Sequence, residues 1–459
     1  MKLMYKRAVS VLVLAALLVF GLFVFTIRYI SSGENWVQYP VNQHLYKNGE
    51  LINAGEITDR NGEILARTVD EERKFNDDRL IRTAVMHAIG DINGNVSTGA
   101  QVIYRKKLSG WDLLNGVYRF DVLRTTGMDI ALTLDAELCA VAYQAMNGRK
   151  GTVGVMNYKT GEVLCMVSLP SFDPSDPPDV NLDLGSYEGV YLNRLLSVSY
   201  TPGSVFKLVT AAAAIEKLSD IDSRIFSCDG FMEISGVRVT CPSKHGDITF
   251  EEALADSCNV TFAQITLELS GTILQDYAER AGITASVGFD GIRTKAGNVD
   301  CINAEGADLA WAGIGQYTDM VNPFQFLTYM GAIANGGVLV SPHILSDNGL
   351  LSRIAVAISK NRIMPGSTAE HLTYLMRNNV VSNYGEQSYG GLELCAKSGT
   401  GEVGGGRAPN AWFAGFLNRE DCPLAFVVVI ENGGSGSAAA GPVAAKVLQA
   451  AVNRLTGGQ

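Results

Sequence analysis

A serine followed three residues later by a lysine is the first feature of this 459-residue sequence that could do chemistry. Ser204 and Lys207 stand in the run TPGSVFK at 201–207, whose Pro-Gly pair predicts a helix start before the Ala- and Leu-rich run 208–218. Residues three apart share a helix face, so hydroxyl and amine would be neighbours. A serine at a helix N-terminus suits a nucleophile that creates and then faces an oxyanion.

The serine would need a base, because its hydroxyl is a weak nucleophile until its proton is removed. None of the five histidines has a persuasive context, so Lys207 is the candidate. It can act only when neutral, which requires burial or a neighbouring cation to lower its pKa. Taken alone, a Ser-x-x-Lys pattern is more often a helix cap followed by a surface lysine, but two further motifs favour chemistry.

The second motif is Ser257-Cys-Asn259, which directly precedes an amphipathic helical run, 260–269. A serine hydroxyl can relay protons, and an asparagine amide can hold a lysine or a substrate carbonyl. Both side chains could point into one pocket from the start of this helix. Taken alone, the tripeptide is more readily explained as a helix cap.

The third motif, Lys397-Ser398-Gly399-Thr400, ends a strand-like run. Lys397 would bring a second cation near the first lysine and disfavour its charged form. Ser398 and Thr400 offer hydroxyls to a substrate carboxylate, and Gly399 would let a peptide approach the strand closely. The alternative is a strand end that runs into the glycine-rich loop 401–406.

The elements that must position these motifs form a sheet assembled from both ends of one domain, which predicts an α+β fold. The segment that carries Ser204 would be a largely helical insert between the strands. The strand-like runs are 151–157, 162–169, 392–400, 411–417 and 424–431, and helices are predicted at 134–146 and 441–455.

The N-terminal segment is apolar enough to cross a membrane. Basic residues precede it, so we expect a cytoplasmic tail at 1–7 and a transmembrane anchor at 8–28 with the rest outside the cytoplasm. A cleaved signal peptide is the alternative, but no small-x-small cleavage site follows. We assign 29–130 to a stalk or docking module and 131–459 to the catalytic domain.

The amino-acid composition limits the kinds of partner that the chain can bind. A hydrophobic content of 47% indicates a sizeable core, and a net charge of −10 without a basic stripe argues against nucleic-acid binding.

The sequence contains eight cysteines. Cys228 and Cys241 flank a short β-like run, 231–239, and we predict a disulfide between them in an oxidising compartment. The Cys and His spacings do not suggest zinc.

The three motifs, in this order, resemble the signature of penicillin-binding proteins and serine β-lactamases. The resemblance to class B penicillin-binding proteins extends over residues 50–445, and no glycosyltransferase domain precedes the stalk, so the chain resembles the monofunctional class. Further matching segments are DRNGEILA at 59–66, LTLD at 132–135, GEVL at 161–164, PSFDP at 170–174, GIGQ at 313–316 and AWFAG at 411–415.

This resemblance implies a penicillin-binding or serine β-lactamase-like transpeptidase domain. Its antiparallel sheet would be flanked by helices and joined by an all-helical subdomain, after a transmembrane helix and a small stalk domain. The implied activity is a peptidoglycan D,D-transpeptidase in which Ser204 attacks the penultimate D-Ala carbonyl of a stem peptide. The implied roles are base for Lys207, proton route for Ser257 and Lys397, substrate positioning for Asn259, and oxyanion hole for the N–H groups of Ser204 and Thr400.

The resemblance also implies the partners. They are donor and acceptor stem peptides, β-lactam antibiotics, membrane lipid and a glycosyltransferase or wall-synthesis complex, with no metal, cofactor or nucleic acid. The chain would be a single-pass membrane protein with an extracytoplasmic catalytic domain. It departs from the family in carrying Ser398 where many members have threonine, and in its short stalk.

Two alternatives stay open. A D,D-carboxypeptidase or membrane-anchored β-lactamase would use the same acylation but needs a water-activating base, for which no acidic residue stands out. A non-catalytic β-lactam sensor or scaffold would not need three intact motifs. Rapid turnover of penicillin would distinguish a carboxypeptidase or β-lactamase from a transpeptidase. Wild-type growth and crosslinking of a Ser204→Ala strain would instead indicate a sensor or scaffold.

Overall fold

The structure is a computed structural model that describes residues 2–32, 46–47, 50–51, 54–110, 127–179, 183, 185–346 and 360–457. Parts of the predicted stalk, 33–45 and 111–126 among them, lie outside the described residues. Two compact units are present. The first comprises Met1–Ile57, Ala66–Lys74 and Tyr104–Ile130, and the second comprises Thr58–Leu65, Phe75–Ile103 and Ala131–Gln459.

The N-terminal part of the chain begins with a long helix, α1, Lys2–Ser32. Its section Met4–Tyr29 has a mean hydropathy of 2.9 and is long and apolar enough to cross a membrane. The elements that follow are β1 Tyr46–Lys47, β2 Glu50–Leu51, β3 Ile57–Thr58, β4 Ile64–Val69, β5 Glu72–Phe75, α2 Arg79–Ala84, α3 Met86–Ile89, α4 Ala100–Ile103, α5 Arg105–Leu108 and β6 Ile130–Ala131.

The second unit contains the remaining elements. They are α6 Ala136–Met146, β7 Gly151–Asn157, β8 Val163–Leu169, α7 Arg194–Ser197, α8 Lys207–Lys217, β9 Ile225–Cys228, β10 Phe231–Ile234, β11 Val237–Thr240, β12 Gly246–Thr249, α9 Phe250–Ala255, α10 Asn259–Leu269, α11 Gly271–Arg280, β13 Gly288–Phe289, β14 Ile292–Arg293, α12 Gly306–Ala312, α13 Pro323–Ala334, β15 Val338–Leu339, β16 Asn361–Arg362, α14 Gly366–Asn379, β17 Leu394–Gly401, β18 Asn410–Leu417, β19 Leu424–Ile430, α15 Gly436–Ala439 and α16 Gly441–Leu455.

A five-stranded antiparallel sheet forms the centre of this unit, in the order β17-β18-β19-β7-β8. Strands from 151–169 and from 394–430 therefore meet in one sheet, and the α+β fold predicted from the sequence is confirmed. Every residue of β18 and β19 is buried, because helices cover both faces of the sheet. Strand β17, which carries the third motif, lies at the sheet edge.

Helices pack on the sheet in layers that their apolar residues dictate. Helices α6 and α16 pack on each other and against β8 and β19, while α13 packs against β7, β18 and β19. Helix α13 is buried from Pro323 to Ile333 and begins with an Asn322 cap, whose side chain accepts from two backbone N–H groups.

A second, mainly helical region holds the first two motifs. Helix α8 packs against α10, α11 and α14, and α14 also packs against β17. Between α8 and α9 the chain forms two small antiparallel pairs, β9 with β12 and β10 with β11, in a stretch that the sequence had indicated as largely helical. These hairpins bring the segment 228–245 next to the start of α10.

Candidate active site

Ser204 lies in a 3-10 turn, Gly203–Val205, that leads into α8. Gly203 has a φ of +58°, and its N–H donates to the Gly315 carbonyl at 2.8 Å. A Cβ on Gly203 would lie 2.3 Å from the Thr400 carbonyl oxygen, so only glycine lets the turn approach the edge strand. Ser204 itself is partly exposed, which leaves it accessible to a substrate.

Lys207 is the first residue of α8, and its side chain is completely buried. Its Nζ donates to the Ser257 carbonyl at 2.7 Å and to the Asn259 Oδ1 at 2.8 Å, and lies 3.3 Å from the Ser257 Oγ. The amine also lies 5.4 Å from the centre of the Phe262 ring. Helix α8 therefore holds the amine against the second motif.

Lys397 reaches the same place from β17, and it too is buried. Its Nζ donates to the Ser257 Oγ at 3.1 Å and to the Ser398 carbonyl at 3.2 Å. Ser257 Oγ thus lies within hydrogen-bonding distance of two lysine amines that come from a helix and a strand far apart in the sequence.

Burial and mutual repulsion disfavour charge on these amines. The pKa of Lys207 is lowered well below 10.5, first by burial and then by the nearby Lys397, while the thiols of Cys258 and Cys241 oppose this shift. Burial also lowers the pKa of Lys397. A neutral lysine one turn after Ser204 is what base catalysis by Lys207 requires.

The second motif is held in an uncommon backbone conformation. Ser257 has a φ of +57°, between the end of α9 and the start of α10. The Cys258 N–H donates to the Ala253 carbonyl at 2.8 Å, and Asn259 Nδ2 donates to the Thr240 carbonyl at 2.8 Å. These bonds turn the Ser257 hydroxyl and the Asn259 amide oxygen towards the same amine.

The third motif lies on the edge strand beside the Ser204 turn. A Cβ on Gly399 would lie 2.4 Å from the Pro202 carbonyl oxygen, so the two backbones are in close contact there. Ser398 and Thr400 share the other strand face by the period of two. Thr400 is exposed, whereas the Ser398 hydroxyl accepts a hydrogen bond from the Tyr384 hydroxyl at 2.8 Å.

Two residues of this neighbourhood were missed by sequence reasoning. Gln316 Nε2 donates to the Thr400 carbonyl at 3.0 Å, and Tyr384 OH accepts from the Ser398 N–H at 2.8 Å. Gln316 belongs to the segment GIGQ, which was noted for its resemblance but given no role. Nothing in the local sequence around Tyr384 indicated its contact with the third motif.

The structure contradicts the predicted Cys228–Cys241 disulfide. All eight cysteines lie among the described residues, and each is a free thiol. Cys228 Sγ and Cys241 Sγ each lie 3.4 Å from Nδ1 of His245, and Cys241 Sγ lies 3.8 Å from Cys258 Sγ. The two thiols thus contact the His245 imidazole, and Cys241 also contacts the Cys258 thiol, instead of forming a bond with each other.

The fold therefore brings residues of the three motifs together around two buried lysine amines. Ser257, Asn259 and Lys397 meet at Lys207 through direct contacts, and the turn that carries Ser204 contacts β17. This arrangement offers a partly exposed hydroxyl, a buried base of lowered pKa, a hydroxyl that can relay protons, and a strand edge for an extended substrate.

Comparison with known proteins gives concordant results. Residues 151–449 match the family model described as the penicillin binding protein transpeptidase domain. Over 97% of this chain and 98% of the relative, the sequence is 26% identical to the protein named peptidoglycan D,D-transpeptidase PbpA of Mycolicibacterium smegmatis.

Solved structures share the fold. The ceftriaxone acyl-enzyme complex of penicillin-binding protein A from M. tuberculosis is 22% identical, with a TM-score of 0.75 over 87% of this chain and 98% of that one. The complex of a penicillin-binding protein, PBP2, with MreC from Helicobacter pylori is 20% identical, with a TM-score of 0.73 over 88% and 98%.

Proposed function

Because this chain belongs to the family of penicillin-binding protein transpeptidase domains, we propose that it is a peptidoglycan D,D-transpeptidase with Ser204 as its nucleophile. The observation that carries the proposal is the position of Ser257 Oγ, 3.3 Å from Lys207 Nζ and 3.1 Å from Lys397 Nζ. Two buried amines of lowered pKa around one hydroxyl provide both a base for the nucleophile and a route for its proton.

In the acylation step, neutral Lys207 accepts the Ser204 proton as Oγ attacks the penultimate D-Ala carbonyl carbon. The N–H groups of Ser204 and Thr400 stabilise the resulting oxyanion. The peptide C–N bond then breaks, and the proton passes through Ser257 to the leaving D-Ala amine, which restores neutral Lys207. Lys397 completes this proton route and keeps the pKa of Lys207 low.

In the second step, the amine of an acceptor stem peptide attacks the acyl-enzyme and forms the crosslink. The donor peptide would lie along β17 as an added strand, because β17 is the edge strand of the sheet. We expect Asn259 to hold a substrate amide near the reacting carbonyl; hydrogen bonds to Lys207 and Thr240 fix its side chain.

The relatives extend the proposal to ligands and partners. The similar M. tuberculosis protein forms a ceftriaxone acyl-enzyme, so we expect β-lactams to acylate Ser204 here as mimics of the stem peptide. The similar H. pylori protein forms a complex with MreC, so we expect this chain to act within a wall-synthesis complex. Helix α1 would anchor it in the cell membrane.

The test is labelling of the full-length chain in detergent with a fluorescent penicillin. We expect wild type to carry a label that persists on denaturation, and Ser204→Ala to carry none. Ser197→Ala is the matched control, because Ser197 is also partly exposed and lies at the end of α7. Label that persists on Ser204→Ala would overturn the choice of nucleophile.

The reaction itself is tested with a donor peptide ending in D-Ala-D-Ala and an amine acceptor. We expect release of D-Ala together with a crosslinked product detected by mass spectrometry. Hydrolysed donor without crosslink, or rapid turnover of the penicillin label, would indicate a hydrolase instead.

A further inference from the structure

Four side chains outside the proposed catalytic set gather beside the second motif. Cys228 ends β9, Cys241 follows β11, His245 precedes β12, and Cys258 caps the start of α10. Their three Sγ atoms and one imidazole nitrogen all lie within 4.8 Å of one another. Cys228 and Cys258 are buried, while Cys241 and His245 are partly exposed, so an ion can reach the cluster from solvent.

Three of the six separations among these atoms are close to the edge lengths of a coordination tetrahedron, and all six are within 4.8 Å. With Zn–S about 2.3 Å and Zn–N about 2.0–2.1 Å, the ligand atoms of a tetrahedral zinc ion lie about 3.6–3.8 Å apart. The separations are 3.4 Å from His245 Nδ1 to both Cys228 Sγ and Cys241 Sγ, and 3.8 Å between Cys241 Sγ and Cys258 Sγ. A disulfide would instead need a separation of about 2.05 Å.

Hydrogen-bond donors near the start of α10 point at two of the sulfur atoms. The Asn259 N–H points at Cys241 Sγ at 3.2 Å, and Cys258 Sγ accepts from the Thr261 N–H at 3.4 Å and the Thr261 hydroxyl at 3.3 Å. Donors at a helix N-terminus favour the anionic, metal-binding form of a nearby sulfur atom.

The imidazole is oriented in the same way. His245 Nε2 lies 3.0 Å from the Ser243 hydroxyl, which leaves Nδ1 to face the sulfur atoms. Histidines that bind a metal commonly have their second nitrogen held by a hydrogen bond, which fixes the tautomer and the ring orientation.

We propose that Cys228, Cys241, His245 and Cys258 bind one Zn²⁺ ion as a closed, structural site. Four protein ligands of sulfur and nitrogen in a tetrahedral arrangement are the donor set that zinc prefers. Since all four positions are filled by side chains, the ion has no open position for a substrate or water. Zinc binding displaces the remaining thiol protons and leaves the histidine neutral.

The location of the site gives the ion a positioning role, which rests on the proposed function. Cys258 stands between Ser257 and Asn259, and the Asn259 N–H is bonded to a second ligand, Cys241. An ion that links Cys258 to the hairpin β10–β11 would therefore stabilise the positive-φ conformation of Ser257. It would also fix the orientation of the Ser257 and Asn259 side chains. The ion acts through these residues and does not touch the substrate.

The metal content of the full-length chain tests the binding. We expect about one zinc per purified chain by inductively coupled plasma mass spectrometry, and loss of at least half of it in Cys241→Ala and His245→Ala. The matched controls, Cys301→Ala and His371→Ala, should keep it, because these residues lie outside the cluster. Wild type without zinc, and unable to take up added Zn²⁺ after chelation, would overturn the proposal.

A spectroscopic probe covers the case in which a ligand variant fails to fold. Cobalt(II) added to the chelator-stripped wild-type chain should give a thiolate-to-cobalt charge-transfer band and the intense visible bands of tetrahedral coordination. Added Zn²⁺ should abolish these bands by displacement, whereas Mg²⁺ should not. Octahedral cobalt spectra, or a Cys228–Cys241 disulfide found by peptide mapping of the native chain, would contradict the site.

The positioning role has its own readout. Removal of zinc should slow penicillin labelling of Ser204 by about 10- to 100-fold, and stoichiometric Zn²⁺ should restore it. Unchanged labelling of a zinc-free chain would refute the positioning role. If zinc binds but penicillin never labels the chain, the proposed function fails while the metal site stands.

Discussion

At the scale of single residues, the site depends on a hydroxyl shared by two buried amines. Lys207 and Lys397 both contact Ser257 Oγ, and burial lowers the pKa of each. A charged lysine in this position would be costly, because the interior solvates charge poorly. The same burial that destabilises the ammonium therefore favours the neutral amine that the proposed base requires.

Lys207→Arg tests the base. Arginine keeps a cation and its donors but cannot lose its proton, so acylation should fall by about 10²- to 10⁴-fold. The measurement is the second-order rate of penicillin labelling of the full-length chain. Lys159→Arg, at an exposed lysine in the β7–β8 turn, is the control and should label at the wild-type rate. Equal rates in Lys207→Arg and wild type would exclude Lys207 as the base.

The pH dependence of wild-type labelling follows from the same shift. Since the pKa of Lys207 lies well below 10.5, its neutral form persists at pH values well below those at which a free lysine loses its proton. Acidification protonates the amine, so the labelling rate should fall as the pH drops below that pKa and stay level above it. A rate that rises only at alkaline pH, near 10.5, would show an unshifted lysine.

Asp319 is another buried ionisable residue, and its burial lowers the stability of the folded state at neutral pH. Its side chain is 1% exposed, and among the described residues neither carboxylate oxygen has a hydrogen-bond partner. Burial raises its pKa well above 3.8, so the folded chain retains a proton that the unfolded chain releases. The stability of the folded state therefore decreases as the pH rises above about 4.

Asp319→Asn should remove this dependence. We expect the variant to unfold at nearly the wild-type temperature at pH 4 but to be more stable at pH 7, by about 1–3 kcal/mol. Scanning calorimetry of the full-length wild type and variant between pH 4 and pH 7 measures this difference in stability. Asp308→Asn, at an exposed position of α12, is the control, and an equal gain there would refute the assignment.

At the scale of elements, the Ser204 turn and the edge strand β17 are fitted to each other through glycine. Gly203 approaches the Thr400 carbonyl, and Gly399 approaches the Pro202 carbonyl. The proposed oxyanion hole takes one N–H group from each of these elements, from Ser204 and Thr400. Its geometry would therefore depend on how closely the two backbones pack.

Gly203→Ala tests that fit. Its methyl group would lie 2.3 Å from the Thr400 carbonyl oxygen, so the turn must move, and penicillin labelling should slow by at least about tenfold. Gly404→Ala is matched, because Gly404 also has a positive φ, +66°, but its Cβ would meet nothing within 4 Å. The control should carry backbone strain of only about 1–2 kcal/mol and label normally. Similar losses in both variants would mean that strain, not the contact, matters.

The helix before the second motif is held by its cap. The Thr249 hydroxyl accepts from the Glu252 N–H, and the Glu252 carboxylate accepts from the Thr249 N–H, which is a complete capping box for α9. We expect Thr249→Ala to lower the free energy of unfolding by about 1 kcal/mol. Thr249→Ser keeps a hydroxyl at the cap and should therefore keep most of this stabilisation. Thermal unfolding monitored by circular dichroism measures both, and equal stability of the three proteins would exclude the cap as a contributor.

At the scale of the whole molecule, the chain combines an apolar helix with a unit that carries the chemistry. Helix α1 has side chains that are largely exposed over its apolar length, which only a lipid environment or a partner would satisfy. Basic residues precede the apolar segment, so we expect its N-terminus on the cytoplasmic side. The catalytic unit would then face the compartment in which stem peptides are crosslinked.

Charged substitutions in the apolar segment of α1 test whether it anchors the chain in the membrane. Leu14→Arg together with Leu18→Arg should cost about 5–7 kcal/mol of insertion free energy and release the chain from carbonate-washed membranes. Met4→Arg, at the basic edge of the helix, should leave the chain in the membrane fraction. Retention of the double variant would contradict a spanning helix, and protection of the catalytic unit from protease added outside spheroplasts would contradict the orientation.

The sequence by itself determined most of the elements. Period-two and period-3.6 patterns are local, and they predicted β7, β18, β19, α6 and α16 to within a few residues. The Ser204–Lys207 pair is also local, because residues three apart in a helical turn must be neighbours. That Ser257 and Lys397 belong with this pair came from the resemblance of their order, not from any period.

Only the tertiary structure decided what meets across long separations. The Ser398–Tyr384 contact and the convergence of Cys228, Cys241, His245 and Cys258 join segments whose spacing carries no recognisable pattern. Two cysteines that flank a hairpin suggested a disulfide, but the packing of β9, β11 and α10 directs their thiols to an imidazole and a third thiol. Side-chain direction depends on how elements pack, and packing is a property of the whole chain rather than of a local stretch.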